Sequence, residues 1–292
     1  MHWAYRNELS SSAHVFLYIT LKALQYLIYS NILISISAGS LAYACAEKLG
    51  NLHDIGIGIT VFFATLFVYN IQRILRLGEI KVNSSDRHHW LEDHTFLIKT
   101  LAGIGIIGSV TIYFAVLGWN IDFWFLAFSA IIGVLYALKI HPKTKALRDI
   151  PYAKIYLIAL QWALVSVYWP YMRIADTTDF PVGLILSIFF FILAATVPFD
   201  IRDLVYDGKH KSTIPQIFGV KGAKATALLF LVLSALSLYF FFPVVIHLCW
   251  FYICYSVLGI LILNSNVYRR EMYYSGIIDG WIIAYALLVY VL

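Results

Sequence analysis

Charge is scarce in this chain. Only 13% of its 292 residues are Asp, Glu, Lys or Arg, against 61% hydrophobic and 17% aromatic, and the mean hydropathy is +0.80. A soluble domain carries roughly twice that share of charge, so the composition excludes one and leaves a polytopic membrane protein. Cysteine is nearly missing as well. Cys45, Cys249 and Cys254 stand in apolar surroundings without metal-ligand spacing, which excludes a disulfide framework and points to small core residues. There is no Gly-rich phosphate loop, no low-complexity tract and no linker, so one domain over residues 1–292 is expected. The first 22 residues lack the pattern of a cleaved signal peptide, and the apolar segment that follows is expected to be retained.

What is abundant is apolar length. Crossing about 30 Å of hydrocarbon takes about 20 helical residues. By that measure nine stretches qualify, near 23–46, 55–77, 96–119, 121–140, 152–172, 181–199, 223–243, 244–264 and 273–292. The expected fold is therefore all-α, a membrane bundle of nine transmembrane helices. All Lys and Arg except Lys48 and Arg173 fall in or beside the N-terminal arm and the loops after the even-numbered spans. The positive-inside rule then makes those segments cytoplasmic and puts Leu292 on the opposite side, in the plasma membrane if the cell is prokaryotic. The formal charge of +5 is a topology signal and no sign of nucleic-acid binding.

The longer polar stretches, 78–94, 139–151 and 200–222, all belong to that cytoplasmic face. The last begins PFDIRDLVYDGKHKSTIP. At helical spacing Asp200, Asp203 and Asp207 share one stripe at a helix mouth. Three carboxylates so placed repel one another until a divalent cation or basic groups neutralise them, and hard oxygen ligands of this kind suit Mg²⁺ also held by phosphate. Asn70 and Arg73 end the second span one turn apart on a shared face. A buried Asn there needs a polar partner, which a neighbouring helix supplies.

DIRDLVYD followed by STIP and FG resembles the second aspartate-rich motif of the UbiA-type intramembrane prenyltransferases, with Asp200, Asp203, Asp207, Thr213, Pro215 and Gly219 on the matching positions. The nine-span pattern fits the same family, so the resemblance covers almost the entire chain. It implies Mg²⁺-dependent transfer of a polyprenyl group from an isoprenyl diphosphate to a small, typically aromatic, acceptor within the bilayer. The resemblance makes Asp200, Asp203, Asp207 and Asn70 the catalytic set, with metal on Asp203, Asp207 and Asn70. Arg73, Lys143, Arg148, Lys154 and Lys211 become the candidate contacts of the diphosphate. Lys154 stands out, because a purely topological charge has no need to lie inside the start of a span.

The first aspartate-rich motif departs from the pattern: at the spacings where the family has Asp, Asn70 is followed by Ile74 and Gly78. Three explanations follow. Asp86, Glu92 or Asp93 of the next loop replace the lost acids; Arg73 takes over charge neutralisation, since guanidinium binds phosphate bidentately; or the chain is a non-catalytic lipid-binding or transport protein that keeps the fold. Lys211 lies one turn beyond Asp207 and lowers the charge of the stripe. His88, His89 and His94 are expected in a polar interfacial loop, Trp119 and Trp169 in the interfacial belt, and Asp279 beside a buried polar partner.

Overall fold

The computed structural model describes the backbone of residues 2–51, 54–77, 86–138, 150, 153–174, 179–205 and 213–292, with side chains from residue 15 onward and excluding Asp86. Among these residues every regular element is a helix: α1 (His2–Tyr29), α2 (Ile32–Lys48), α3 (Asp54–Arg76), α4 (Asp86–Asp93), α5 (Thr95–Ile112), α6 (Asp122–Ala137), α7 (Ala153–Ala163), α8 (Trp169–Met172), α9 (Val182–Asp203), α10 (Ile214–Phe241), α11 (Cys249–Asn264) and α12 (Asp279–Val291). In lipid the backbone has no water to bond, so an apolar chain that must satisfy its own N–H and C=O groups becomes helical. Three π-helical turns extend α5, join α7 to α8 and precede α12, at Tyr113–Leu117, Leu164–Tyr168 and Met272–Ile278.

Among the described residues six helical segments are long and apolar enough to cross a membrane, and the bent pair Val15–Tyr29 with Ile32–Lys48 makes a seventh if it is one span. Two further apolar helices, α6 and α11, have 16 residues each. That is about 24 Å of rise, short of a 30 Å core. The chain is an integral, multi-pass membrane protein. Among the described residues, six long helices, a broken first one and two short ones thus stand where nine spans were expected.

The first expected span, 23–46, is not one helix. It breaks at Asn31, whose φ of 65° and ψ of 12° are left-handed, and the halves meet at 61°. Asn is one of the few residues that visit that conformation. Ser35 Oγ donates to the Asn31 carbonyl at 2.7 Å. In the second motif, Thr213 caps α10 with Gln216 in a reciprocal box and Pro215 fills its first turn. Gly219 then kinks that helix with a φ of 68°, a value a side chain would oppose.

The close approach of α5 to α3 rests on Gly105. A Cβ there would lie 2.5 Å from the Phe67 nitrogen and 2.9 Å from the Phe63 carbonyl, and at Gly108 it would enter the Phe63 ring. Gly103 faces open space, so two of the three glycines serve packing. Because the obstacle at Gly105 is backbone, Gly105→Ala is expected to cost about 1–3 kcal/mol, read as a lower melting temperature in detergent. Of the cysteines, Cys45 and Cys254 are buried as expected, and Cys249 is exposed.

Candidate functional site

The polar residues of the bundle gather at the end where α3 and α9 finish and α2 begins. Asn70, fully buried, accepts a hydrogen bond from Asn31 Nδ2 at 2.8 Å and donates to the Ser30 and Leu66 carbonyls at 3.1 and 2.9 Å. The polar partner expected for Asn70 is therefore the helix break itself: α2 starts where it does because Asn31 turns its amide onto α3.

Arg87 comes from α4. Its side chain enters the bundle and is 6% exposed. One terminal nitrogen donates to Asn31 Oδ1 at 2.6 Å and to the Tyr29 carbonyl at 3.3 Å, the other to Ser275 Oγ at 3.0 Å and Glu271 Oε1 at 3.2 Å. Arg202 Nη1 also donates to both Glu271 oxygens, at 2.9 and 3.0 Å. Arg202 in turn grips Asp203 Oδ1 through Nε at 2.8 Å and Nη2 at 2.7 Å, and lies over the rings of Phe199 and Tyr274. Lys154, at the start of α7, puts Nζ 2.6 Å from Asp200 Oδ1 and 3.4 Å from Asp203 Oδ2. Asp200 is only 2% exposed. A carboxylate so buried is tolerable only with such a partner. Glu271 stands just outside the span Met272–Val291. Burial alone would raise its pKa, but Arg202 and then Arg87 hold it down at about 2.

Arg73 lies in the field of Arg87, Glu271, Arg76 and Arg202 and makes no hydrogen bond or ion pair among the described residues. Asp279 shares the field of Arg87, Arg202, Glu271 and Arg73 and likewise has no ion pair there, contrary to the partner expected for it. Beside this cluster, an apolar cavity of about 80 Å³ runs between α2, α3, α6 and α7, lined among others by Ala38, Ala64, Tyr69, Leu126 and Trp162. Trp162 Nε1 donates to Tyr69 Oη at 3.3 Å. Tyr69 joins the two regions, since it lines the cavity and is the neighbour of Asn70 in sequence.

The structure thus brings Asn70, Arg73, Lys154, Asp200 and Asp203 to one end of the bundle. Asp207, Lys143, Arg148 and Lys211 lie outside the described residues. So do the side chain of Asp86 and residue 78 of the first motif. The segment expected as a polar loop around His88 is the helix α4, with Trp90 and Leu91 buried; His94, next to it, stacks on Trp90 with ring centres 4.2 Å apart and bonds Tyr26 Oη at 2.8 Å. Glu92, exposed, lies 3.7 Å from His88 and 3.6 Å from His89. Trp169, expected at the interface, is fully buried and donates to Asp122. Arg87 and Glu271 are site residues that the sequence marks only faintly: a lone Arg set among histidines ahead of Trp90, and an acid immediately before an apolar run.

The described residues do not fit a magnesium ion. Among the described residues no three His, Cys, Asp or Glu stand close enough to hold a metal, and the carboxylates of Asp200 and Asp203 already face Lys154 and Arg202.

No family model and no curated protein matches the chain. Solved structures do. A UbiA homologue from Aeropyrum pernix K1, without ligand, is 16% identical, with a TM-score of 0.62 over 88% of this chain and 98% of that one. A UbiA homologue from Archaeoglobus fulgidus bound to GPP and Mg²⁺ is 15% identical, with a TM-score of 0.58 over 92% and 100%. A structure concerning digeranylgeranylglyceryl phosphate synthase is 18% identical, with a TM-score of 0.55 over 93% and 99%. At such identities the likeness speaks for the fold: this is a membrane protein with the UbiA-type prenyltransferase fold.

Proposed function

We propose that the chain binds an isoprenyl diphosphate, with the diphosphate at the polar end and the prenyl tail in the apolar cavity, and transfers the prenyl group to a small acceptor. The carrying observation is the juxtaposition of Arg73, a guanidinium with unused donors, and a cavity walled by Tyr69 and Trp162. In the reaction the allylic C–O bond breaks and its electron pair leaves on the diphosphate. A nucleophilic atom of the acceptor then bonds to that carbon and its proton passes to the departing diphosphate. Arg73, Lys154 and Arg202 supply the positive charge that a leaving diphosphate demands, and the aromatic wall keeps water from the cation. We place this end in the cytoplasm, where the basic loops lie, and read the two short helices as spans, which makes nine in one domain.

Supporting the fold-level part of this reading, the Archaeoglobus homologue was solved with GPP and Mg²⁺. The ion pairs that already occupy Asp200 and Asp203 favour a second reading, a lipid-binding protein without turnover. Purified chain in liposomes, given geranyl, farnesyl or geranylgeranyl diphosphate with a panel of phenols and alcohols, separates them. Acceptor-dependent release of diphosphate supports transfer; saturable binding without release supports the second reading; no binding sinks both.

The cavity makes a further expectation. Ala64→Phe puts a ring into it and should weaken binding of the geranylgeranyl compound by about tenfold, the worth of one or two buried methylenes, while geranyl diphosphate is affected less. Equal losses for both would remove the cavity as the tail site.

A further inference from the structure

A site that recruits a divalent cation through aspartates must present their oxygens to the ion. Here each described carboxylate of the second motif has a protein cation instead. Lys154 Nζ is 2.6 Å from Asp200, and Asp203 is held on one oxygen by Arg202 at 2.7 and 2.8 Å and approached on the other by Lys154 at 3.4 Å. On the side of the first motif the sequence has Ile74 in place of an acid. In that neighbourhood Arg87 places its guanidinium 2.6 Å from Asn31 Oδ1, one hydrogen bond removed from Asn70.

The groups can be matched one to one. Lys154 answers Asp200, Arg202 answers Asp203, and Arg87 answers Glu271, which Arg202 shares. Arg73 and Asp279 are left over, each in the other's field and neither in an ion pair among the described residues. Counting Arg76, which also lies in the field of Arg73, the described cations here outnumber the carboxylates by one even if Asp279 is ionised, and Arg73 besides lacks acceptors among the described residues for its five N–H donors. A phosphate group provides oxygens spaced for that fork. Arg87 cannot fill the same role, because its terminal nitrogens are already spent on Asn31, Tyr29, Ser275 and Glu271.

We infer that this chain binds its phosphorylated ligand without a divalent cation, Arg73 making the direct contact while Arg87, fixed between α2 and the start of the last span, stands as a permanent positive charge where a metal would otherwise be needed. The inference rests on the reading of this end as an isoprenyl diphosphate site and specifies how that site is neutralised.

The test is equilibrium binding of a non-ionising thio analogue of geranyl diphosphate, and of inorganic diphosphate, to the full chain in detergent, in EDTA and in Mg²⁺. The expected result is an analogue Kd that agrees within about threefold between the two conditions and rises about tenfold or more in Arg73→Ala, where the charged two-pronged hydrogen bond to phosphate can no longer form. Arg73→Lys should fall between, since it keeps the charge and loses the fork. Asp203→Asn should tighten binding in EDTA, because it removes a carboxylate that competes for Arg202 and Lys154. Loss of binding in EDTA, recovered with Mg²⁺ and abolished in Asp203→Asn, would overturn the inference and leave the diphosphate site standing. An unchanged Kd in Arg73→Ala would overturn the assigned contact. Failure of both probes in both conditions would remove the inference together with the reading beneath it. The chelator comparison uses the unaltered chain, so it holds even if a variant fails to fold.

Discussion

Glu271→Gln lowers the stability of the ligand-free chain and enlarges the stabilisation that diphosphate confers. Among the described residues Glu271 is the one carboxylate shared by Arg87 and Arg202, at 3.2 and 2.9 Å, and its side chain is 10% exposed. Without its charge, Arg73, Arg87 and Arg202 face one another with Asp203 as the nearest paired acid. Breaking a buried ion pair from one side costs about 3–5 kcal/mol; the glutamine carbonyl still accepts one hydrogen bond, so the lower end of that range is expected. A bound anion restores the missing negative charge and adds its linkage term, RT ln(1 + [L]/Kd). Melting curves in detergent, with and without diphosphate, read both effects. A variant that melts like the parent, or one that gains nothing extra from diphosphate, would show that Glu271 does not set the charge of the site. Acidity offers the same lever. The folded value of Glu271, about 2, lies below its ordinary 4.5, so its contribution is complete above about pH 4.5 and is lost as pH falls toward 2. Glu271→Gln should flatten the acid limb of the stability curve.

The second large effect belongs to the opposite end of the bundle. Asp122, buried, accepts from Tyr113 Oη at 2.8 Å, Trp169 Nε1 at 2.7 Å and Arg173 Nη1 at 2.6 Å, while Arg173 also caps the Leu117 carbonyl at 2.7 Å. This cluster ties the ends of α5, α6 and α8 together and has no ligand-facing group. Asp122→Ala strands the Arg173 guanidinium in an apolar setting, and a loss of about 3–5 kcal/mol is expected. Diphosphate affinity should stay within about twofold, because distant clusters without shared partners contribute independently. A matching fall in affinity would mean that the two ends are coupled through the helices.

What could be read from the residues alone follows the strength of each physical signal. Apolar length is a strong one, and the described part of each expected stretch is largely helical, because lipid leaves a backbone no other choice. The break inside the first span was hidden: Ser30 and Asn31 are two polar residues in an apolar run, and only the docking of Asn31 on Asn70 turns that pair into a corner. Lys154 was legible because a lysine inside a span needs a reason, and its reason is Asp200. Asp200 and Asp203 were legible as a stripe, but their pairing was not, since Lys154 reaches them from α7 and Arg202, the neighbour of Asp203 in sequence, bonds it directly. Arg87 and Glu271 lie far apart in sequence in polar stretches of ordinary composition, so nothing local marked their meeting.

That meeting sets the order in which the protein can become competent. Arg87 and Glu271 are separated by 184 positions, and chains emerge from the ribosome N-terminal end first. Until the final span has been made and inserted, the arginine that α4 carries has no carboxylate to receive it. A nascent chain that has not yet reached Glu271 can hold most of its helices in the bilayer, with Lys154 and Arg202 paired to Asp200 and Asp203, while Arg87 still lacks its carboxylate.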